Sequence, residues 1–246
     1  MFEGITRAFL GGEAQPNVKD PVQSSVQEVR EESPDLADID PHHIKSESEF
    51  HHMKVRMVYN MAFLNFTDED GEQIHSTKDL LAPVVPAIVD SVYVHLLSFD
   101  TTAKSFTAPQ SAATDKDGNI DAAITDLSLD HPNIKLRKDF LKGYLIRLVS
   151  NTNWAPDSPF WTYLDKVGVM HTGAAGFKHR EKRPELYVEM QQCALLLGWV
   201  VDTVIKFVMG LDVIDNEKKT KVLVAFNKLI WLQNDLFLRH YVTTRS

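Results

Sequence analysis

The stretch that decides the fold is PFWTYLDKVGVMHT, residues 159–172. Counting back from His171 by four, three and four residues gives Val167, Leu164 and Phe160. Residues at this spacing share one face of an α-helix, because a helix turns once in about 3.6 residues. The segment therefore predicts a helix with one apolar face, and it places His171 on that face, in the last turn.

A histidine on an apolar face has two interpretations. It can be a core residue whose ring bonds a backbone carbonyl, which is the commoner case for a lone histidine. It can also be a metal ligand, because a neutral imidazole in an apolar pocket is the usual proximal ligand of haem iron. Gly168 lies about one turn before His171, where a missing side chain would let a flat, bulky group approach the helix. The spacing permits both interpretations.

Composition and charge narrow the classes of protein. The chain has 246 residues, of which 43% are hydrophobic, so it is long enough to bury a sizeable core. Its net charge of −8 disfavours nucleic-acid binding, which needs a basic surface against the phosphates. Cys193 is the only cysteine, so no intrachain disulfide can form, and a cytoplasmic location is predicted.

One apolar run, residues 193–211, is nearly as long as a membrane span. Asp202 and Lys206 lie inside it, and charged side chains at that depth of a bilayer are costly. We therefore expect a central helix of a globular core here, and no membrane span.

The chain divides into a tail and one helical domain. Residues 1–45 are rich in Glu, Asp, Pro, Ser and Gln with few aromatic residues, so they are predicted to be largely disordered. Helical periodicity runs through most of residues 46–246, without the alternation typical of β-strands, which predicts an all-α domain. A long loop is predicted at residues 107–130. The predicted helices cover residues 46–64, 68–76, 79–98, 136–149, 159–172, 184–210 and 216–242.

Four stretches, in this order, make the helical domain resemble protoglobins and the globin domains of globin-coupled sensors. FTDED at residues 66–70 is similar to the opening of the first main globin helix, and DSVY at 90–93 to a motif in the helix above the haem. YLDKVGVMH at 163–171 is similar to the segment that carries the proximal histidine, and KLIWLQNDL at 228–236 to the final helix. The resemblance implies a globin fold in which the helix at 46–64 is the extra N-terminal helix of this family.

The resemblance also implies a site. Haem b would bind through Nε2 of His171, whose Nδ1–H would donate to a backbone carbonyl in the preceding turn. Tyr93 would lie on the distal side and donate a hydrogen bond to bound O2, although a core tyrosine fits the same position. The basic run at residues 178–183 fits either a solvated loop or partners of the haem propionates. Further residues that would line the haem, and that also fit plain core packing, are Phe106, Phe140, Tyr144, Leu164 and Val167.

The function implied by the resemblance is reversible binding of a diatomic gas, O2, CO or NO, for gas binding or sensing. One alternative is a haem enzyme, such as an NO dioxygenase or a peroxidase-like protein. Another is a signalling module that keeps the globin fold without haem, which the presence of His171 argues against. The sequence has no Gly-rich phosphate loop, Cys-x-x-Cys, Gly-x-Ser-x-Gly or His-Glu-x-x-His motif, so a conventional hydrolase, kinase or zinc enzyme is disfavoured.

The last two predicted helices carry more apolar residues than one haem pocket needs. The richest stretches are CALLLGWVV at residues 193–201 and VLVAFNKLIWL at residues 222–232. A homodimer buries the same patch on both copies, and the resemblance implies a four-helix contact between such helices. We therefore predict a homodimer formed through residues 184–210 and 216–242.

Overall fold

A computed structural model of the chain describes residues 34–106, 127–174, 176 and 187–242. Within these ranges the backbone is almost entirely helical, and the only β pairing there is one isolated bridge. The all-α class predicted from the sequence is therefore confirmed. The described α-helices are, in chain order, α1 (Glu47–His51), α2 (Met53–Leu64), α3 (Asp68–Ser76), α4 (Lys78–Leu81), α5 (Val85–Leu97), α6 (Asp100–Ala103), α7 (Pro132–Ser150), α8 (Pro159–His171), α9 (Met190–Met209) and α10 (Asn216–Leu238).

Most of the predicted tail and of the predicted long loop lies outside the described residues. Within the tail, the described part holds a short 3-10 helix, Leu36–Asp38, that lies against α2. Ile39, which follows it, is buried. A second 3-10 helix, Lys104–Phe106, continues directly from α6.

Helix α10 is the centre of the fold and packs against α9, α3, α8 and α2. Asp215 caps its first turn by accepting a hydrogen bond from the backbone N–H of Lys218 at 2.7 Å. Because neighbours surround it, α10 buries apolar and polar residues alike, and the main hydrophobic core is arranged around it. Its buried residues are Lys219, Val222, Ala225, Phe226, Leu229, Ile230, Leu232, Gln233, Leu236 and Phe237.

Helix α8 crosses α10 at very short range. Gly168 lies against the backbone of α10, where an added Cβ would overlap the carbonyl oxygen of Leu236. The sequence interpretation left the space beside Gly168 for a flat, bulky group, whereas the structure fills that space with α10. The crossing places α8, with His171 at its end, directly on the central helix.

Ion pairs tie the N-terminal helices to the same central helix. Arg56 of α2 donates from Nε and Nη2 to the Asp235 carboxylate at 2.6 and 2.7 Å, and Asn60 donates to it at 2.6 Å. Such planar pairing of a guanidinium with a carboxylate fixes direction as well as distance. Lys228 joins α10 to the start of α3 through the Asp70 carboxylate at 2.8 Å. These contacts fix the positions of α2 and α3 along α10.

A second, smaller core lies between α5 and α7. Leu145 of α7 packs against this core and against the main one, so the two are continuous. The buried members of the smaller core are Val85, Val89, Tyr93, Phe106 and Ile134.

Two predicted helices are each split in the structure. The predicted helix at residues 46–64 is broken at His52, whose extended backbone (ψ 129°) ends α1 and starts α2. The predicted helix at residues 79–98 is broken between α4 and α5, because Pro83 has no N–H with which to continue the ladder of α4. The chain bends by 94° between the α3–α4 segment and α5.

Three helix ends in the structure also differ from the predicted ones. Helix α7 begins at Pro132, one turn before the predicted residue 136, because the His131 side chain caps it. Helix α9 begins at Met190 instead of residue 184, because Tyr187 is held in the β-bridge. Helix α10 ends at Leu238, four residues before the predicted end.

Helix α9 is apolar but lightly buried. Cys193 and Val208 are its two buried residues, whereas Leu195, Ile205 and Met209 are exposed. The expectation of a central core helix here is therefore wrong, because α10 occupies the centre. Helix α9 is also the one unbroken described helix that is long and apolar enough to cross a membrane, a test that core helices of globular proteins pass as well.

Candidate functional site

His171 closes α8, and the helix itself holds its ring. Its Nδ1 atom lies 2.7 Å from the carbonyl oxygen of Val167, one turn earlier. A carbonyl oxygen only accepts, so Nδ1 carries a proton, and in the neutral ring Nε2 then carries the lone pair. Metal-ligating histidines are commonly fixed in this way. The half-buried ring also meets the ring of Phe237 from α10, edge to face, at 5.0 Å.

Hydrogen bonds fix the main chain at His171 in addition to its ring. The His171 carbonyl oxygen accepts a hydrogen bond from the backbone N–H of Val188 at 2.9 Å, and Thr172 pairs with Tyr187 in the β-bridge. The hydroxyl of Tyr241, just beyond α10, lies 3.0 Å from the same carbonyl oxygen. The end of α8 is thus fastened to the approach to α9 and to the turn after α10.

Tyr93 and Phe106 lie together in the smaller core. Their ring centroids are 5.7 Å apart in an edge-to-face arrangement, and both residues are buried. The Tyr93 hydroxyl makes no hydrogen bond to any residue that the structure describes. Burial raises the pKa of Tyr93, and the nearby Arg137 guanidinium lowers it by less. The phenol therefore keeps its proton at neutral pH and can act as a donor.

Tyr144 and Leu164 belong to the main core. The Tyr144 hydroxyl donates to Oε1 of Gln233 at 2.9 Å, and Nε2 of Gln233 donates to the Leu164 carbonyl at 3.5 Å. Burial raises the pKa of Tyr144. The Tyr144 proton is therefore committed to Gln233, in contrast to the proton of Tyr93.

The structure groups the other predicted lining residues only in part. Phe140 of α7 is 41% exposed. Val167 is half-buried and contributes its carbonyl oxygen to the His171 ring. The basic run at residues 178–183 lies outside the described residues. The residues that the structure brings together form three pairs: His171 with Val167, Tyr93 with Phe106, and, through Gln233, Tyr144 with Leu164.

Sequence reasoning gave no role to three residues that shape this region, although one of them, Gln233, lies in the quoted motif of the final helix. They are Gln233, Phe237 and Tyr241, which lie on α10 or in the turn after it. The hydrogen-bond partners of Gln233 and Tyr241 are 48 to 89 positions away in the sequence. The helical period of α10 places Gln233 and Phe237 on its buried side, but no local signal names the residue that each one meets.

Two open clefts lie away from these residues. One, of about 240 Å³, lies between α3 and α10, and the other, of about 520 Å³, lies between α3 and residues 152–155. The charges of the first cleft pair with each other, as Lys228 does with Asp70 at 2.8 Å. No group of three His, Cys, Asp or Glu side chains within the described ranges is arranged to hold a metal ion. Around His171, the described residues thus offer a single imidazole and no cluster of three metal-binding side chains.

Comparison with known proteins decides the family. The protoglobin family model matches residues 53–246, beginning at the first residue of α2. The chain belongs to the protoglobin family. This protoglobin is similar in structure to the globin domain of the Geobacter sulfurreducens globin-coupled sensor, with a TM-score of 0.55 and 18% identity over 76% of this chain and 98% of that one. At that identity the likeness concerns the fold alone, and it confirms the predicted globin fold. A search of curated proteins found no significant match.

Proposed function

We propose that this protoglobin holds haem b through Nε2 of His171 and binds a diatomic gas reversibly, as a gas-binding or gas-sensing protein. The observation that carries the proposal is the hydrogen bond of 2.7 Å from Nδ1 of His171 to the Val167 carbonyl. It selects the tautomer that an iron ligand needs and limits rotation of the ring. When bound, haem supplies an iron with an open position for O2, CO or NO.

The surroundings of His171 fit a haem better than a metal ion bound by several side chains. The ring lies against Phe237, and the close crossing at Gly168 seats α8 on the central helix. A ligand that is already fixed loses little conformational entropy when it binds. His171 therefore offers a preorganised nitrogen donor beside an aromatic ring.

The smaller core supplies what the distal side of a gas site needs. Tyr93 and Phe106 present apolar surface and one O–H donor. A hydrogen bond from Tyr93 favours O2, a ligand that gains partial negative charge, over CO, which gains little; its contribution is about 0.5–1.5 kcal/mol. Tyr93→Phe should therefore speed O2 dissociation several-fold and change CO dissociation far less. Equal changes for both gases would assign Tyr93 to pocket shape instead.

The test of haem binding is the visible absorption spectrum of purified protein loaded with haem b, in the ferric, ferrous and CO-bound forms. His171→Ala should lose haem or give abnormal ferrous and CO spectra, and added imidazole should restore them. The matched control is His75→Ala, because His75 is also half-buried in the last turn of a helix and bonds a backbone carbonyl, that of Val149, through Nδ1 at 3.1 Å.

The outcomes separate the interpretations. Normal ferrous and CO spectra in His171→Ala would reject His171 as the ligand. A wild-type protein that takes up no haem would favour the haem-free signalling module. Abnormal spectra in both histidine variants would mean that the loss of a buried polar group disturbs the fold, with no special role for His171.

We further propose that two copies associate through α9 and α10. Leu195, Ile205 and Met209 lie along one side of α9 and are exposed, with the Asp202–Lys206 ion pair among them, and Trp231 of α10 is exposed as well. Large apolar side chains grouped on a surface are typical of protein–protein interfaces. Contact of this surface with the same surface on a second copy gives a two-fold symmetric dimer.

A further inference from the structure

The hydroxyl of Tyr241 lies where three segments of the chain meet. Its oxygen is 2.6 Å from the Val188 carbonyl oxygen and 3.0 Å from that of His171. The Cys193 Sγ atom lies 3.9 Å from the same hydroxyl. The Tyr241 ring packs edge to face on the ring of Tyr187, with centroids 6.3 Å apart.

One proton serves both carbonyls. A phenol has a single O–H, so the shorter contact identifies Val188 as the main acceptor, and the His171 carbonyl shares the proton in a three-centre bond. The thiol of Cys193 can donate to the phenol oxygen, which is then both donor and acceptor. Burial, the largest cause, and the neighbouring Cys193 both raise the pKa of Tyr241, so the donor persists through the neutral range.

These contacts complete a clamp around the end of α8. The last carbonyls of a helix have no partner within the helix. The His171 carbonyl finds two partners outside it, the Val188 N–H at 2.9 Å and the Tyr241 hydroxyl. Because the β-bridge of Thr172 with Tyr187 lies beside them, the backbone on the C-terminal side of His171 is held from two directions.

We propose that Tyr241 is a positioning residue, whose hydroxyl fixes the main chain of His171 and so sets the direction in which the imidazole presents Nε2. This role deepens the proposed haem binding and rests on it. The ring is held at Nδ1 by Val167, within α8, and its backbone is held by the clamp. The turn after the final helix is thereby linked to the proximal ligand through a single hydroxyl.

Tyr241→Phe is the test, because it removes the hydroxyl and keeps the ring on Tyr187. The matched control is Tyr187→Phe, the same chemical change in the neighbouring ring. The Tyr187 hydroxyl is exposed and lies 3.5 Å from the Glu189 carboxylate, away from both carbonyls. Circular dichroism and urea unfolding of both variants measure any loss of stability.

The first measurement uses haem-free protein and NMR. Tyr241→Phe should speed hydrogen exchange of the Val188 amide about 2- to 10-fold, because that amide bonds the released His171 carbonyl. The 15N signals of the His171 ring should also show a mixture of tautomers. Tyr187→Phe should leave both unchanged. Unchanged His171 and Val188 signals in Tyr241→Phe would overturn the proposal, whether or not the protein takes up haem.

The second measurement uses haem-loaded, ferrous protein and the iron–histidine stretching band in resonance Raman spectra. Tyr241→Phe should shift and broaden the band, and Tyr187→Phe should not. A wild-type band in Tyr241→Phe, together with lower stability, would overturn the positioning role and leave a purely structural one. Absence of haem uptake by the wild type would instead reject the proposed function. The NMR measurement would still show whether the Tyr241 hydroxyl fixes the main chain of His171.

Discussion

Helices α9 and α10 lie side by side and have similar lengths, 20 and 23 residues, yet they are buried very differently. Helix α9 is almost continuously apolar, and only Cys193 and Val208 are buried. Helix α10 is more polar and buries even Lys219 and Gln233. Burial in this protein is therefore decided by which neighbours a helix has, and not by how apolar it is.

The polar residues buried on α10 are all provided with partners. Lys219 donates to the Met209 carbonyl at 3.0 Å, and Gln233 accepts from Tyr144 and donates to Leu164. Buried polar groups without such partners would be costly. The environment of the apolar residues of α9 is the opposite, because Leu195, Ile205 and Met209 are exposed to solvent.

The largest expected effect tests whether α10 carries the fold. Leu232→Ala on α10 should lower the free energy of unfolding by about 2–5 kcal/mol, because a fully buried leucine leaves a cavity. Leu195→Ala on α9, where the side chain is 68% exposed, should change it by no more than about 0.5 kcal/mol. Urea unfolding at low protein concentration measures both values. Equal losses would contradict the contrast between the two helices.

A smaller effect is expected on association. Wild-type protein should sediment as a dimer at micromolar concentration, and Leu195→Glu should raise the dissociation constant by at least about tenfold, equivalent to 1.4 kcal/mol. Phe63→Glu is the control, because Phe63 of α2 is 72% exposed and lies outside α9 and α10. A monomeric wild type, or the same weakening of association in both variants, would show that Leu195 and its neighbours on α9 do not mediate dimerisation.

The last contrast concerns the one thiol, Cys193, which lies on the buried side of α9. Burial raises the pKa of the Cys193 thiol to about 11, above its ordinary value of 9.0. The reactive thiolate is therefore scarcer in folded protein, by about 100-fold at pH 8. Alkylation by iodoacetamide should be at least that much slower than in urea-unfolded protein, and should rise with pH up to about 11. Equal rates at pH 8 would show that this end of α9 opens freely.

The parts of the fold that depend on local signals could be predicted from the sequence. The apolar period from Phe160 to His171 gives α8, and the hydrogen bond of Nδ1 to the preceding turn follows from a spacing of four residues. Helix α10 is similarly well signalled by its periodicity, and Asp215 caps it. The break at Pro83 has a local cause as well, the missing N–H, although the sequence pattern predicted a continuous helix there.

The parts that depend on distant partners could not be predicted. The missing side chain of Gly168 indicates that another group can pack closely against the helix, but the sequence does not identify that group as α10. The start of α9 depends on the pairing of Thr172 with Tyr187, fifteen positions apart, and no periodicity encodes that bridge. The role of Tyr241 is hidden for the same reason, since its partners are carbonyls, which every residue has.

The bridge between Thr172 and Tyr187 has a practical consequence for protein engineering. It holds the two ends of the intervening segment together, so a change in the length of that segment need not alter the distance between α8 and α9. Each doubling of a closed loop adds only about 0.6 kcal/mol of closure entropy. A peptide tag inserted between the two bridged residues should therefore leave His171 in place, and would carry the label near the end of α8.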